Sequence, residues 1–108
     1  MLYEWRVYEA MPGKLPRLHA RFVEDALPLF ATHSITPLGF WTTYLGTSAN
    51  ALSYLLAWVD LGERQRRWDA FQSDPAWLAA KARSEADGPL IAHVQSQILQ
   101  PTEYSALH

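Results

Sequence analysis

Apolar and polar positions alternate along four stretches of this chain and recur at helical spacing along two others, and the order of these stretches predicts the fold. From Leu2 to Glu9 the side chains fall into two sets, Tyr3, Trp5 and Val7 on one side and Glu4, Arg6 and Tyr8 on the other, as the period of two in a strand requires. Pro12 and Gly13 interrupt it. Leu15, Leu18, Phe22, Ala26 and Leu29 then recur at spacings of three and four, the stripe of an amphipathic helix. Pro16 falls in the first turn, where a missing amide costs little. Pro28 falls inside, where it removes a hydrogen bond and crowds the carbonyl of Glu24, so a kink or a restart is expected near Ala26.

Ile35 to Val59 reads as a hairpin: two apolar runs joined by the polar Gly46-Thr47-Ser48-Ala49-Asn50 segment. Its first strand is expected from about Ile35 to Leu45, with Pro37 near the start, where a strand tolerates it. The second runs from Leu52 to Val59. Trp41, Tyr44, Tyr54 and Trp58 suit the half-buried pleated surface of a central hairpin. Asp60 and Glu63 have the spacing of a capping box, so a helix opens at Leu61 with Trp68 and Phe71 on its inner face. Asp74-Pro75 caps a fresh helix anchored by Trp77 and Leu78. Asp87-Gly88-Pro89 stops it, and Leu90 to Gln100 forms the last strand.

The order is β-α-β-β-α-β with the second helical region split in two. The arrangement that satisfies it is an α+β, ferredoxin-like protomer: a four-stranded antiparallel sheet with helices on one face. The other face, rich in aromatics, is left bare, and a second copy packed against it makes a homodimer of the dimeric α+β barrel type.

Composition narrows the rest. The 108 residues make one domain, 1–108, ordered from about residue 2 to 105 with a frayed C-terminal tail. Five tryptophans exceed what so small a core readily encloses, which again favours self-association. A net charge of −2 with scattered signs speaks against a nucleic-acid surface. The one basic concentration, Arg64, Arg66 and Arg67, reads as a solvated helix face. With no cysteine there is no disulfide, thiolate or Cys-based metal chemistry. No apolar run is long enough to span a bilayer and no leader pattern opens the chain, so a soluble, cytoplasmic protein without membrane insertion is expected.

Five short motifs carry a resemblance: Tyr3-Glu4-Trp5-Arg6-Val7-Tyr8, Pro12-Gly13-Lys14-Leu15, Gly39-Phe40-Trp41-Thr42-Thr43, Asp74-Pro75-Ala76-Trp77 and Ile98-Leu99-Gln100-Pro101-Thr102. In this order and at these separations the chain resembles the NIPSNAP family from about Leu2 to Ser105. The resemblance implies the dimeric α+β barrel, a fold shared with small monooxygenases, isomerases and haem-handling proteins, and it implies no single reaction. The chain departs from the family at Gln95 and Gln97, where members often carry Glu and Arg.

No local catalytic motif is present. The serines lack a nucleophile elbow and the five glycines are dispersed. His19, His33, His93 and His108 have no metal-ligand spacing, so neither a metal site nor a cofactor is expected. The fold resemblance leaves haem as a lesser possibility, with His19, His33 or His93 as ligand and His33 the first candidate. What remains is a set of aromatic, hydroxyl and amide side chains suited to a small apolar or aromatic ligand: Arg6, Tyr8, Trp41, Thr43, Tyr54, Trp58 and Gln95. Arg6 serves as an anion or carbonyl anchor, or else pairs with Glu4 on an ordinary strand face. The functional readings are a cofactor-independent monooxygenase or isomerase and, alternatively, a non-catalytic binding or protein-interaction module.

Overall fold

The computed structural model describes residues 1–108. The elements follow the expected order: β1 (Leu2–Ala10), α1 (Leu15–Arg21), a π-helical turn (Phe22–Ala26), α2 (Leu27–Thr32), β2 (Thr36–Thr42), β3 (Ala51–Trp58), α3 (Leu61–Ser73), α4 (Pro75–Ser84) and β4 (Ile91–Leu99). The strands form one antiparallel sheet in the order β2-β3-β1-β4. No helix is long and apolar enough to cross a membrane.

Pro28 acts as its position predicts. The chain widens into the π turn ahead of it, with the Leu27 amide bonded to the Phe22 carbonyl, and resumes α geometry at Leu27. That frees the carbonyl of Glu24 from the proline ring without ending the helical region. At α3 the Asp60 carboxylate accepts the Glu63 amide at 2.8 Å, while the Glu63 carboxylate reaches back to the Val59 amide. At α4 the Asp74 carboxylate accepts from the Ala76 amide at 2.8 Å, with Pro75 at the first position.

Two boundaries differ from the sequence reading by more than one residue. β2 stops at Thr42, leaving Tyr44 and Leu45 almost wholly exposed. The residues that follow are tied to the end of β1: Ser48 donates to the Glu9 carboxylate at 2.7 Å and the Asn50 amide to the Ala10 carbonyl at 2.6 Å. These bonds spend the polar linker on β1, so it cannot extend the hairpin. The last helix stops at Ser84, before Asp87; Gly88, at φ +113°, takes the left-handed turn beyond it.

The core lies between the helices and one sheet face. Leu18, Phe22, Ala26 and Phe30 meet Leu52, Tyr54, Leu56 and Trp58, and Phe71 and Trp77 close it from α3 and α4. Ring centroids stand 5.3 Å apart for Phe22 and Tyr54, 5.1 Å for Phe30 and Phe71, and 4.8 Å for Phe71 and Trp77. Trp5 and Trp41, 5.6 Å apart, lie on the other face, and Trp41 is half exposed. β4, at the sheet edge, is exposed through nearly all its length, so the layer between sheet and helices is open along that side.

Replacing Asp60 with alanine removes the α3 cap. It is expected to cost about 1 kcal/mol, read as a lower urea midpoint with an unchanged slope; an unchanged midpoint would show the cap to be idle.

Candidate functional site

β1 turns Glu4, Arg6 and Tyr8 toward the helices, and β3 sets Tyr54 opposite Arg6 in register. All four are buried. The Arg6 guanidinium donates from Nε to the Tyr54 hydroxyl at 2.9 Å, from Nη1 to Glu4 Oε2 at 2.9 Å and from Nη2 to the Tyr8 hydroxyl at 3.3 Å. The two tyrosine hydroxyls are 2.7 Å apart. The Trp68 ring from α3 covers the guanidinium, with its centroid 4.5 Å from Cζ.

Glu4 anchors this group. Its carboxylate also accepts Trp58 Nε1 at 3.1 Å, Arg64 Nε at 2.8 Å and Arg64 Nη2 at 3.0 Å. Burial alone would raise its pKa, but the Arg64 and Arg6 bonds outweigh that and hold it below the usual carboxylate value. Burial likewise opposes the Arg6 charge, yet its tyrosine and Glu4 neighbours raise its pKa, so it stays protonated. Tyr54 is pushed well above the ordinary tyrosine value by burial and by Tyr8 beside it, and remains neutral.

Beside this cluster a cavity of about 420 Å³ opens between β4 and the helices. Arg6, Tyr8, Gln72 and His93 contribute polar groups to its wall, and Phe22, Phe30, Trp68, Phe71 and Trp77 supply the aromatic part. Arg21, Lys81 and Glu85 bring further charge to it, with Arg21 paired to Glu85 at 3.3 Å.

The structure divides the residues expected from sequence into three groups. Arg6 and Tyr8 line the cavity. Tyr54 and Trp58, wholly buried, stand behind them as hydrogen-bond partners to Arg6 and Glu4. Trp41, Thr43 and Gln95 belong to the opposite sheet face. Trp41 is paired with Ser53 and Gln95 with Val7, and Thr43 and Gln95 border a separate, polar cavity of about 440 Å³ with Glu9, Ser48 and His93.

Arg64 corrects the reading of a uniformly solvated basic face. It precedes Trp68 by four residues and Phe71 by seven, which puts all three on the inner side of α3, and it reaches Glu4. Arg67 bonds the Ser34 carbonyl at 2.8 Å while its side chain stays partly exposed, and Arg66 faces solvent. His33 borders no cavity; its Nε2 lies 2.7 Å from Asp74 Oδ2, joining the end of α2 to the cap of α4. No three His, Cys, Asp or Glu side chains are grouped to hold a metal ion.

Glu4→Gln leaves Arg6 buried without its counter-charge and is expected to destabilise the protein by roughly 3–5 kcal/mol, measured by urea unfolding. The lowered Glu4 pKa fixes the sign of the acid response. The stabilisation is complete above the ordinary carboxylate pKa and is lost as pH falls through the lower folded value. Wild-type stability should therefore decline in that acid window, and Glu4→Gln should flatten the decline.

Comparison with known proteins agrees with the geometry. The NIPSNAP family profile matches residues 3–106. An uncharacterized NIPSNAP domain protein from Burkholderia xenovorans is 26% identical, covers 97% of this chain and 98% of its own, and superposes with a TM-score of 0.83. A NIPSNAP family protein of unknown function from Agrobacterium tumefaciens, 24% identical over 100% of this chain and 94% of its own, gives 0.87. A proposed antibiotic biosynthesis monooxygenase from Nitrosomonas europaea shares the fold at 9% identity and a TM-score of 0.63, covering 94% of this chain and 98% of its own. No curated protein matches. With a profile match that spans nearly the whole chain and the expected sheet and helix order in place, this protein belongs to the NIPSNAP family.

Proposed function

We propose that the cleft between β4 and the helices binds a small, flat apolar or aromatic compound bearing an enolic or phenolic oxygen, and that the protein acts on it as a cofactor-independent oxygenase. The observation that carries this reading is the placement of Arg6 and Tyr8 beside the aromatic rings of Phe22, Phe30, Trp68, Phe71 and Trp77 in the wall of one cavity, which Arg21, Gln72, Lys81, Glu85 and His93 also line. A volume of about 420 Å³ lies within the range of small-molecule sites.

A ligand oxygen set against the guanidinium develops negative charge at low cost, because a cation held in place by Glu4 and the tyrosines needs no reorganisation to stabilise it. That makes the adjacent C–H or O–H easier to ionise, the step that oxygenation and enolate isomerisation share. The likeness in fold to the proposed monooxygenase supports oxygenation of the two, as an analogy of fold.

The same reading includes a homodimer in which a second copy covers the sheet face bearing Trp5 and Trp41. Sedimentation at micromolar concentration is expected to give a dimer; a stable monomer would remove that part. For the ligand, a panel of phenols and quinones is expected to include compounds that quench tryptophan fluorescence saturably, through Trp68 and Trp77 in the wall, and at least one that drives oxygen uptake. Recovery of protein partners with neither quenching nor uptake would instead make the chain an interaction module.

A further inference from the structure

Taking the cleft as a ligand site, we infer that it holds its ligand as an anion, with the Tyr8 hydroxyl donating to the ligand oxygen and Tyr54 acting as the positioning residue that sets Tyr8 in that role. The inference comes from counting hydrogens. Tyr54 has no exposed surface, and its hydroxyl has two neighbours, Arg6 Nε at 2.9 Å and the Tyr8 hydroxyl at 2.7 Å. Arg6 Nε can only donate, so the Tyr54 oxygen accepts there. The Tyr54 hydrogen then has one acceptor in reach, Tyr8. The reverse arrangement would strand a buried donor, at a cost that native interiors avoid.

Tyr8 therefore accepts from Tyr54 and from Arg6 Nη2, and its own hydrogen is unspent. Tyr8 borders the cavity and Tyr54 does not. The free hydrogen thus belongs to the residue a ligand meets. A ligand group that itself needs an acceptor finds none at this hydroxyl, whereas an oxygen with lone pairs to offer does.

Charge points the same way. Arg6, the guanidinium in the wall, shares the Glu4 carboxylate with Arg64, so its positive charge is only partly matched by Glu4; Asp69 acts on Arg64, away from the cavity. In the rest of the lining Arg21 is matched by Glu85, Lys81 adds another positive charge, and His93 and Gln72 are the remaining polar groups. With the Tyr8 hydrogen free and the positive charges of Arg6 and Lys81 in the wall against the already paired Glu85, a phenol or enol entering the cleft releases its proton to solvent and remains as the oxyanion.

para-Nitrophenol is the probe, because its phenolate absorbs in the visible and its neutral form does not; para-nitroanisole, which cannot ionise, is the control. In buffer about one pH unit below the point where free nitrophenol is half ionised, adding wild-type protein is expected to develop the phenolate band in proportion to binding. Tyr8→Phe should weaken nitrophenol binding by about 10- to 100-fold, the usual effect of losing a hydrogen bond to a charged group, and leave nitroanisole binding unchanged. Tyr54→Phe keeps Tyr8 but removes the donor that orients it. Its bound nitrophenol should show a weaker phenolate band and a pH profile shifted toward that of the free compound, again with nitroanisole unaffected. Nitrophenol that binds but stays colourless, or a Tyr8→Phe loss equal for both compounds, overturns this inference while leaving the cleft a ligand site. Failure of both compounds to bind wild type takes the cleft reading down with it.

Discussion

Glu4, a carboxylate with no exposed surface, is the group on which the local architecture depends. It accepts four hydrogen bonds, one from Arg6, one from Trp58 and two from Arg64. Taking such a charge out of water is costly, and the attraction of its partners roughly offsets that cost instead of yielding a large surplus. Its value lies in specificity. One carboxylate ties β1 to β3 through Trp58 and β1 to α3 through Arg64, and holds Arg6 from the side away from the tyrosines. A slip of one residue in β1 would turn Glu4, Arg6 and Tyr8 to the other face together.

From that anchor the polar groups follow in sequence. Glu4 fixes one edge of the Arg6 guanidinium, Arg6 fixes Tyr54 and Tyr8, and Trp68 lies over the cation. Each group is restrained by one before it, and such restraint keeps a polar spot in a fixed place within aromatic surroundings. The helical layer is adjusted to match. Phe22 and Phe30 are eight residues apart, which in an uninterrupted α-helix would put them about 80° out of phase. The wider π turn between them reduces that offset, and both rings reach the cavity, 6.4 Å from one another.

The sheet also separates two chemistries that lie close together in sequence. Even-numbered positions of β1 and β3 face the helices and carry the ionic network; odd-numbered ones face away and meet Trp41, Thr43 and Gln95. The exposed edge at β4 gives the first face its access to solvent. Fold likeness alone assigns no reaction here; the functional reading rests on what Arg6 and Tyr8 present to the cavity.

The sequence by itself determined the element order, the proline-driven interruption near Ala26, both aspartate caps and that Glu4, Arg6 and Tyr8 share one side of β1; that this side faces the helices came from the tertiary structure. The features it determined follow from short-range sterics, from side-chain reach over three or four residues, and from the strict period of strands, all of which are written locally. The end of β2 was not legible, because Tyr44 and Leu45 look like strand residues until Ser48 and Asn50 are seen bonded to the end of β1. Only the tertiary structure decided that Arg6 and Tyr8 share a cavity while Trp41, Thr43 and Gln95 lie behind the sheet, and that Arg64 reaches Glu4 across 60 positions. Periodicity gives the face of a residue within its own element, and which faces of separate elements meet is set by strand register and helix packing, neither of which leaves a local mark.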